Sequence, residues 1–438
     1  MKKIFNKWSL LILILIGGVI LLVPYTDSKV SARDKGIYKD IKTFSEVLDL
    51  VKKNYVDEVE PHALIQGAIN GMIKTLDPHS SFMNAAMYKE LEVETQGRFG
   101  GIGIEITLLK DILTVVSPIE DTPAYNAGVK SGDQIIRIDG KSTKDISIME
   151  AVQKLRGPKD TTVTITIMRE NMEKPRDIVL KRAIIQIKSV KAKSLEDNIG
   201  YIRIASFHER TADDLQKALK EVTGKQHPMK GLVLDLRNDP GGLLTQAIEV
   251  SDMFLKSGGI VSTRGRTKSM ESKVSAKDDG NEITCPIVVL VNEGTASAAE
   301  IVAGALQDNG RALIVGTQTF GKASVQTVIP LEDGAALKLT TARYYTPKGR
   351  SIQAEGIKPD IIVKPTKRVE ERDNVWDERI REKDLKGHIK PAKEDGTKLD
   401  EAPVKDIKDP ADLTNDNQMK AAVDILKSWD IMRKNLNN

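Results

Sequence analysis

Residues 286–304, PIVVLVNEGTASAAEIVAG, start as an unbroken aliphatic run and finish as a helical pattern. Pro286 to Asn292 reads as a strand buried on both faces, because nothing polar alternates with its aliphatics. Small and polar residues break the run, and Ser297 stands at the corner where the helix begins. The same unit recurs. GYIRIASF (200–207), GLVLDLR (231–237) and ALIVGT (312–317) are strand runs; TADDLQKALKEV (211–222) and LLTQAIEVSDMFL (243–255) are amphipathic. Such alternation predicts an α/β layer with a mostly parallel sheet, in which function gathers at the C-terminal ends of strands. Both NDPGG (238–242) and NEGTAS (292–297) lie at such ends.

Working outward, 438 residues are enough for two or three domains, and 40% apolar with 29% charged residues is an ordinary globular balance. A formal charge of +4 gives no argument for a nucleic-acid partner. The single cysteine, Cys285, excludes an internal disulfide and reads as a core thiol. Five histidines show no metal-ligand spacing, so neither metal nor cofactor is expected. At the N-terminus, three lysines precede an uncharged stretch from Trp8 to Tyr25. Residues 1–32 therefore read equally as a cleaved signal ending at Val30-Ser31-Ala32 or as a short membrane anchor, with everything downstream exported.

Residues 33–96 carry two helical stripes, Phe44, Val47, Leu48, Val51, Tyr55 and Ile65, Ile69, Met72, Ile73, Leu76. Core packing, shared with a subunit interface, is the expected use of both. From Gly97 the period shortens to that of strands, and residues 97–182 predict a small, partly open β domain with one helix around Val152. Residues 183–366 hold the α/β core. Beyond them the charged, aliphatic-poor stretch from Lys367 to about Lys408 reads as solvated, and a last short helix from Met419 to Trp429 as docking back.

Two resemblances sharpen this outline. GIGI (101–104), TPAYNAG (122–128) and GDQIIRIDG (132–140), in that order, resemble a PDZ domain. The resemblance implies that the loop of Gly101, Ile102, Gly103 and Ile104 offers N–H groups to a peptide's terminal carboxylate. The peptide would add a strand beside Ile104 and Ile106, facing the helix that bears Val152.

Ser297 itself has two readings on one geometry. Ser297-x-x-Glu300 is a capping box, and a serine beside unpaired helix N–H groups is also placed for acyl chemistry, with an oxyanion held by the Ala298 N–H. The hydroxyl needs a base. His208 and His79 are the histidine candidates, which would make a histidine-dependent esterase. Lys322, in GTQTFGKASVQTVIPL (316–331), has no acid from Arg311 until Glu332 and suits a lysine held neutral. Gln326, four residues on, is placed to orient the amine or a substrate, or is a polar strand-edge residue.

TASAAEI followed by GKASVQ, with LDPHSSF (76–82), DLRNDPGGLL (235–244) and YYTPKGRSIQAEGIKPDI (344–361), resembles the C-terminal processing peptidases, or tail-specific proteases. The resemblance implies a mixed, mostly parallel-sheet α/β peptidase domain with an inserted PDZ-like domain and helical segments at both ends. It implies a dyad in which Ser297 attacks, Lys322 is general base and Gln326 supports it, and an oxyanion hole of the Gly242 and Ala298 N–H groups. Asp239 stands where many relatives carry asparagine. Arg156, in LRGPKD, looks like a residue that relatives use to couple tail binding to the active site. Implied partners are proteins with apolar C-terminal tails, a second copy of the chain, an adaptor lipoprotein and, if residues 1–32 remain, the membrane. The competing reading is a membrane-tethered tail-binding scaffold with an inactive peptidase layer.

Overall fold

The structure, a computed structural model, describes residues 32–366 apart from 110, 170–171, 224–228 and 281, together with 381–385, 387–389 and 416–436. Residues up to Gly71 make one compact unit and those from Met72 another. The first contains the helix Ala32–Asn54 and most of the helix Pro61–Lys74. Here the expected core stripe is corrected. Phe44, Val47 and Tyr55 are exposed, as are Ile65, Met72 and Leu76, and only Ile73 of the second stripe is buried. Within one chain these helices have too little packed surface of their own to cover both apolar faces. The predicted signal or anchor lies, but for Ala32, outside the described residues. Among those described, no helix is long and apolar enough to cross a membrane.

In the second unit a six-stranded sheet runs in the order Val190–Ser194, Ile199–Ile204, Gly231–Asp235, Ile287–Val291, Leu313–Gly316, Ile361–Ile362. All neighbours are parallel except the first pair. Every residue of Gly231–Asp235 and Ile287–Val291 is buried, the signature of a sheet covered on both faces. Alternate side chains divide between two cores. Leu232, Leu234, Val289 and Val291 pack with the helices Thr211–Thr223, Leu244–Asp252 and Ala298–Asp308. Tyr201, Val233, Val288 and Leu290 pack with Met419, Ala422, Val423 and Leu426 of the terminal helix Asn417–Leu436. That helix docks as expected and is longer than Met419–Trp429.

A five-stranded antiparallel sheet stands beside this layer. Ala336–Tyr345 pairs Ser81–Met83, Gly259–Gly265 and Ser324–Pro330, and Ser272–Ser275 extends the far edge. The PDZ-like region has its own core around Leu113, Ile135 and Ile165, inside a sheet ordered Ile104–Leu109, Ile112–Pro118, Gln134–Ile138, Thr162–Met168, Arg176–Lys181. The short pair Arg98–Gly101 with Ala183–Gln186 closes its entry and exit. Of the stretch from Lys367 to Lys408 read as solvated, only residues 381–385 and 387–389 are described. Within them Glu382 is fully buried, a correction to that reading.

The terminal helix is also tied by charge. Arg237 donates to Asp235 at 2.7 and 2.9 Å, to Asp416 at 2.8 and 3.0 Å and to Gln418 at 3.0 Å, all of these residues being buried. Tyr201 adds its hydroxyl to Asp235 at 3.0 Å. Removing one member strands the opposite charge in the interior. Arg237→Ala is therefore expected to lower unfolding free energy by about 3 kcal/mol or more, read by urea denaturation. A loss under about 1 kcal/mol would show that the network is not what holds the terminal helix.

Candidate active site

Three loops at the C-terminal ends of the central strands meet at Ser297. The first follows Gly231–Asp235 and carries Asn238, Asp239, Gly241 and Gly242. The second follows Ile287–Val291 and ends at Ser297. Asn292 locks these two together, accepting from the Asn238 N–H at 2.8 Å and donating to the Asn238 side chain at 2.8 Å. Thr295 donates its hydroxyl to Leu236 O at 2.7 Å, and the Ala296 N–H reaches Asp239 O at 2.9 Å. The third loop, Thr317 to Ala323, follows Leu313–Gly316; its Phe320 N–H donates to Thr295 O at 3.0 Å.

Ser297 has φ 53° and ψ −113°, a conformation that costs a non-glycine residue about 1–3 kcal/mol. Its surroundings impose that conformation. The Ser297 N–H donates to Glu300 Oε2 at 2.9 Å, and its carbonyl accepts from the Ile301 N–H and from the Tyr344 hydroxyl, each at 3.0 Å. Its hydroxyl stands in capping-box arrangement toward the Glu300 N–H but without a cap hydrogen bond of normal geometry. The side chain is thus not consumed by the helix.

Glu300 does more than complete a cap. It is the only charged residue before the last position of a helix whose residues Ala298 to Leu306 are all buried. Oε2 accepts the Lys322 N–H at 2.9 Å as well as that of Ser297. Oε1 accepts the Gly321 N–H at 2.9 Å and the Thr319 hydroxyl at 2.5 Å. One oxygen therefore holds the backbone nitrogens of Ser297 and Lys322 within twice 2.9 Å of each other. Tyr344 repeats the clamp, its hydroxyl lying against the carbonyls of both residues and donating to one at a time. Burial pushes the Glu300 carboxyl up to about 7 against those four hydrogen bonds, and burial raises the Tyr344 phenol as well.

Lys322 is half-buried and makes no hydrogen bond or ion pair through its amine among the described residues. Burial, then the neighbouring Lys338, lowers its pKa; Glu382, Glu300 and Asp77 oppose that fall. The acid-free sequence around this lysine is thus answered in space by three carboxylates from distant segments. Gln326 is not brought to the lysine by a hydrogen bond: its amide donates to the Ser324 hydroxyl at 2.8 Å and to Thr340 at 3.4 Å. A bulge between Val325 and Gln326 breaks the alternation that placed residues 322 and 326 on one face.

Gly241 lies against the serine corner and Gly242 against Phe207. A Cβ on Gly241 would stand 2.8 Å from the Ala298 nitrogen and from Ser297 Cβ, and one on Gly242 would stand 2.2 Å from Phe207 O. Among the described residues, neither the Gly242 nor the Ala298 N–H has an intramolecular acceptor. Asp239 accepts the Gly241 N–H at 2.8 Å, while its other oxygen is buried without a partner and burial raises its pKa well above the ordinary value.

The histidines are engaged elsewhere. His208 shares a hydrogen bond with Ser206 at 2.9 Å, leaves Nδ1 buried without a partner and has its pKa lowered by burial. His79 faces Glu382 at 2.7 and 2.8 Å. In the PDZ-like region Ile104–Leu109 is an edge strand, and Ile102 and Gly103 have backbone N–H groups without partners among the described residues. Gly101 is already paired with Ala183 in the short entry ladder. Arg156, at the C-cap of the helix Ile148–Leu155, ion-pairs with Glu90 and lies 4.3 Å over the Phe99 ring.

Comparison with known proteins places this geometry. The profile of peptidase family S41 matches residues 198–363 and that of the PDZ domain residues 100–180. The profile of the activating protease CtpB N-terminal domain matches residues 24–87. A carboxy-terminal-processing protease of Bartonella bacilliformis is 47% identical over 388 residues, covering 87% of this chain and 89% of that one. The chain belongs to the carboxy-terminal processing protease family. The carboxy-terminal processing protease CtpA of Bacillus subtilis is 38% identical over 319 residues, covering 72% and 67%. A solved photosystem II D1 C-terminal processing protease is 31% identical over 73% of this chain and 92% of that one, with a TM-score of 0.44. The chain is thus a serine-type endopeptidase of mixed α/β fold with a PDZ domain, and the inactive-scaffold and esterase readings fall away.

Sequence reading missed Glu300 as a hub, Tyr344, and the Asp77–His79–Glu382 wall. The one available signal was a lone acid in an otherwise apolar helix start. Glu300→Gln puts an amide N–H against N–H donors and is expected to cost about 2 kcal/mol in urea denaturation. The deficit should narrow from pH 4.5 toward 7. Across that window folded wild type retains a proton that the unfolded chain has released, so wild type loses stability as pH rises. A deficit independent of pH would mean that the carboxyl keeps its ordinary value.

Proposed function

We propose that the protease works through a Ser297–Lys322 dyad and cuts proteins near apolar C-terminal tails. The observation that carries this reading is the Glu300 oxygen that accepts the N–H groups of both residues. Lys322 Nζ, whose pKa burial lowers, takes the Ser297 hydroxyl proton in its neutral form as Oγ bonds to the scissile carbonyl carbon. The unpaired N–H groups of Gly242 and Ala298 receive the developing oxyanion. Lys322 then gives the proton to the leaving amine, and a water deprotonated by the same lysine releases the acyl group. Gln326, held by Ser324, lines the strand beside this path and supports substrate or lysine placement.

The tail adds to the edge strand Ile104–Leu109, with its carboxylate at Gly101, Ile102, Gly103 and Ile104. Arg156 is the coupling residue in this reading, since Glu90 links it to the helix Ala85–Gln96 that leads into that loop. The exposed apolar stripe of Ala32–Asn54 supports a homo-oligomer. Residues 1–32 would deliver the enzyme to the periplasmic or cell-envelope side, as anchor or cleaved signal, with an adaptor lipoprotein as a further partner.

The test uses a chain beginning near Ser31 and an unfolded protein with an apolar C-terminus. Ser297→Ala and Lys322→Ala should each abolish cleavage. In wild type kcat should rise with pH through a value below that of a free lysine, because only the neutral amine accepts the proton. Cleavage surviving Lys322→Ala would sink the dyad. Arg156→Ala should lower turnover or tail affinity, and no change in either would remove it from the coupling role.

A further inference from the structure

The motif LDPHSSF and the charged C-terminal stretch take no part in the mechanism above, yet they meet beside its base. Glu382, on the turn Arg381–Leu385, is fully buried although its sequence neighbours Arg381, Lys383 and Asp384 are charged. A lone buried carboxylate is costly and persists only where partners compensate it. Two do so. His79 donates from Nε2, lying 2.8 Å from Oε1 and 2.7 Å from Oε2, and Gln353 donates to Oε1 at 2.9 Å. Gln353 is itself fully buried, and its Oε1 accepts the N–H of Ala323, the residue after Lys322, at 2.9 Å. The Glu382 N–H makes a long contact of 3.5 Å to Phe320 O on the same loop.

We propose that Glu382 is a positioning residue for Lys322, seated beside it by His79 and acting through Gln353 on the backbone at Ala323. The inference rests on the dyad reading of Lys322. The chain is short and continuous: His79, Glu382, Gln353, Ala323, then the lysine. It joins the segment after residue 380, the loop before the strand Ser324–Pro330 and the turn that opens at Asp77. Asp77 caps that turn, accepting the N–H groups of His79 and Ser80 at 2.8 Å, so the His79 ring stands on a braced backbone. The charged groups facing Lys322 are Lys338 from the strand Ala336–Tyr345, Glu300 from the nucleophile helix, Asp77 and Glu382; Tyr344 faces Glu300 and Glu382. Among the three carboxylates Glu382 is the largest counterweight to the burial of the amine. Placement and basicity of the lysine thus depend on a segment beyond the matched peptidase region.

Glu382→Gln and Glu382→Asp, made in the chain used above, test this. The Gln variant removes the charge at constant shape. It should move the acidic limb of kcat to lower pH by about one unit, the effect of one nearby carboxylate. It should also lower the plateau about three- to tenfold, leaving KM for the tailed substrate unchanged, because a weaker base transfers the proton more slowly. The Asp variant keeps the charge on a shorter arm and should lower the plateau with the limb at its wild-type position. The rate of Ser297 labelling by a fluorophosphonate should show the same limb shift without any tail. A Gln profile that overlays wild type in plateau and limb would overturn the inference, as would equal limb shifts in both variants. If the Gln variant does not fold, an unchanged plateau in the Asp variant overturns it. Lys322→Ala keeps the two readings apart. Activity there defeats the dyad itself, whereas an inactive Lys322→Ala with an unaffected Glu382→Gln defeats only the role of Glu382.

Discussion

A single buried carboxylate holds the catalytic layer together. Glu300 sits on the first turn of the helix Ala298–Asp308 and accepts from Ser297, Thr319, Gly321 and Lys322. Those four donors come from two loops that end adjacent parallel strands, Ile287–Val291 and Leu313–Gly316. Without an internal acceptor each N–H would face an apolar interior, at a cost comparable with a lost hydrogen bond. The loops therefore have one common low-energy arrangement. It stores the strained φ of Ser297, because the N–H groups of Ser297 and of Ala296 before it are already satisfied.

Around this hub the molecule separates rigidity from recognition. The parallel sheet is covered on both faces, by three helices on one and by the terminal helix on the other, and supplies fixed strand ends. The antiparallel sheet brings the strand after Lys322 and, through Ser81–Met83, the turn with Asp77 and His79. The PDZ domain keeps a separate core and an open edge strand. Arg156 with Glu90, and the short ladder Arg98–Gly101 with Ala183–Gln186, lie at the junction of the two parts.

Particular residues show how far sequence carried. Ser297-x-x-Glu300 was legible as a capping box, and half of it is made. That Glu300 also reaches Gly321 and Lys322 was not legible, because a contact over more than twenty residues leaves no local pattern. Lys322 was legible as an unusual lysine from its acid-free surroundings. Its carboxylate neighbours Asp77 and Glu382 lie hundreds of residues apart in sequence and meet only through sheet pairing and a docked turn. Gln326 lies just past a bulge at Val325, so spacing alone does not fix its placement relative to Lys322. The stripes at Phe44 and Ile65 are apolar yet exposed, not core; periodicity reports which face seeks cover but not whether the same chain supplies it.

Local chemistry, repeated along the chain, is what the sequence by itself determined. Doubly buried strands, glycine-bearing loops at their ends, the corner serine, the lysine and the ordered PDZ motifs all follow from patterns a few residues long. Tertiary structure alone decided which charges share a space. Burial makes such charges matter, since the same carboxylate that water would screen on the surface can tune an enclosed amine. The identity of those neighbours depends on strand order and docking, which no stretch of a few residues encodes.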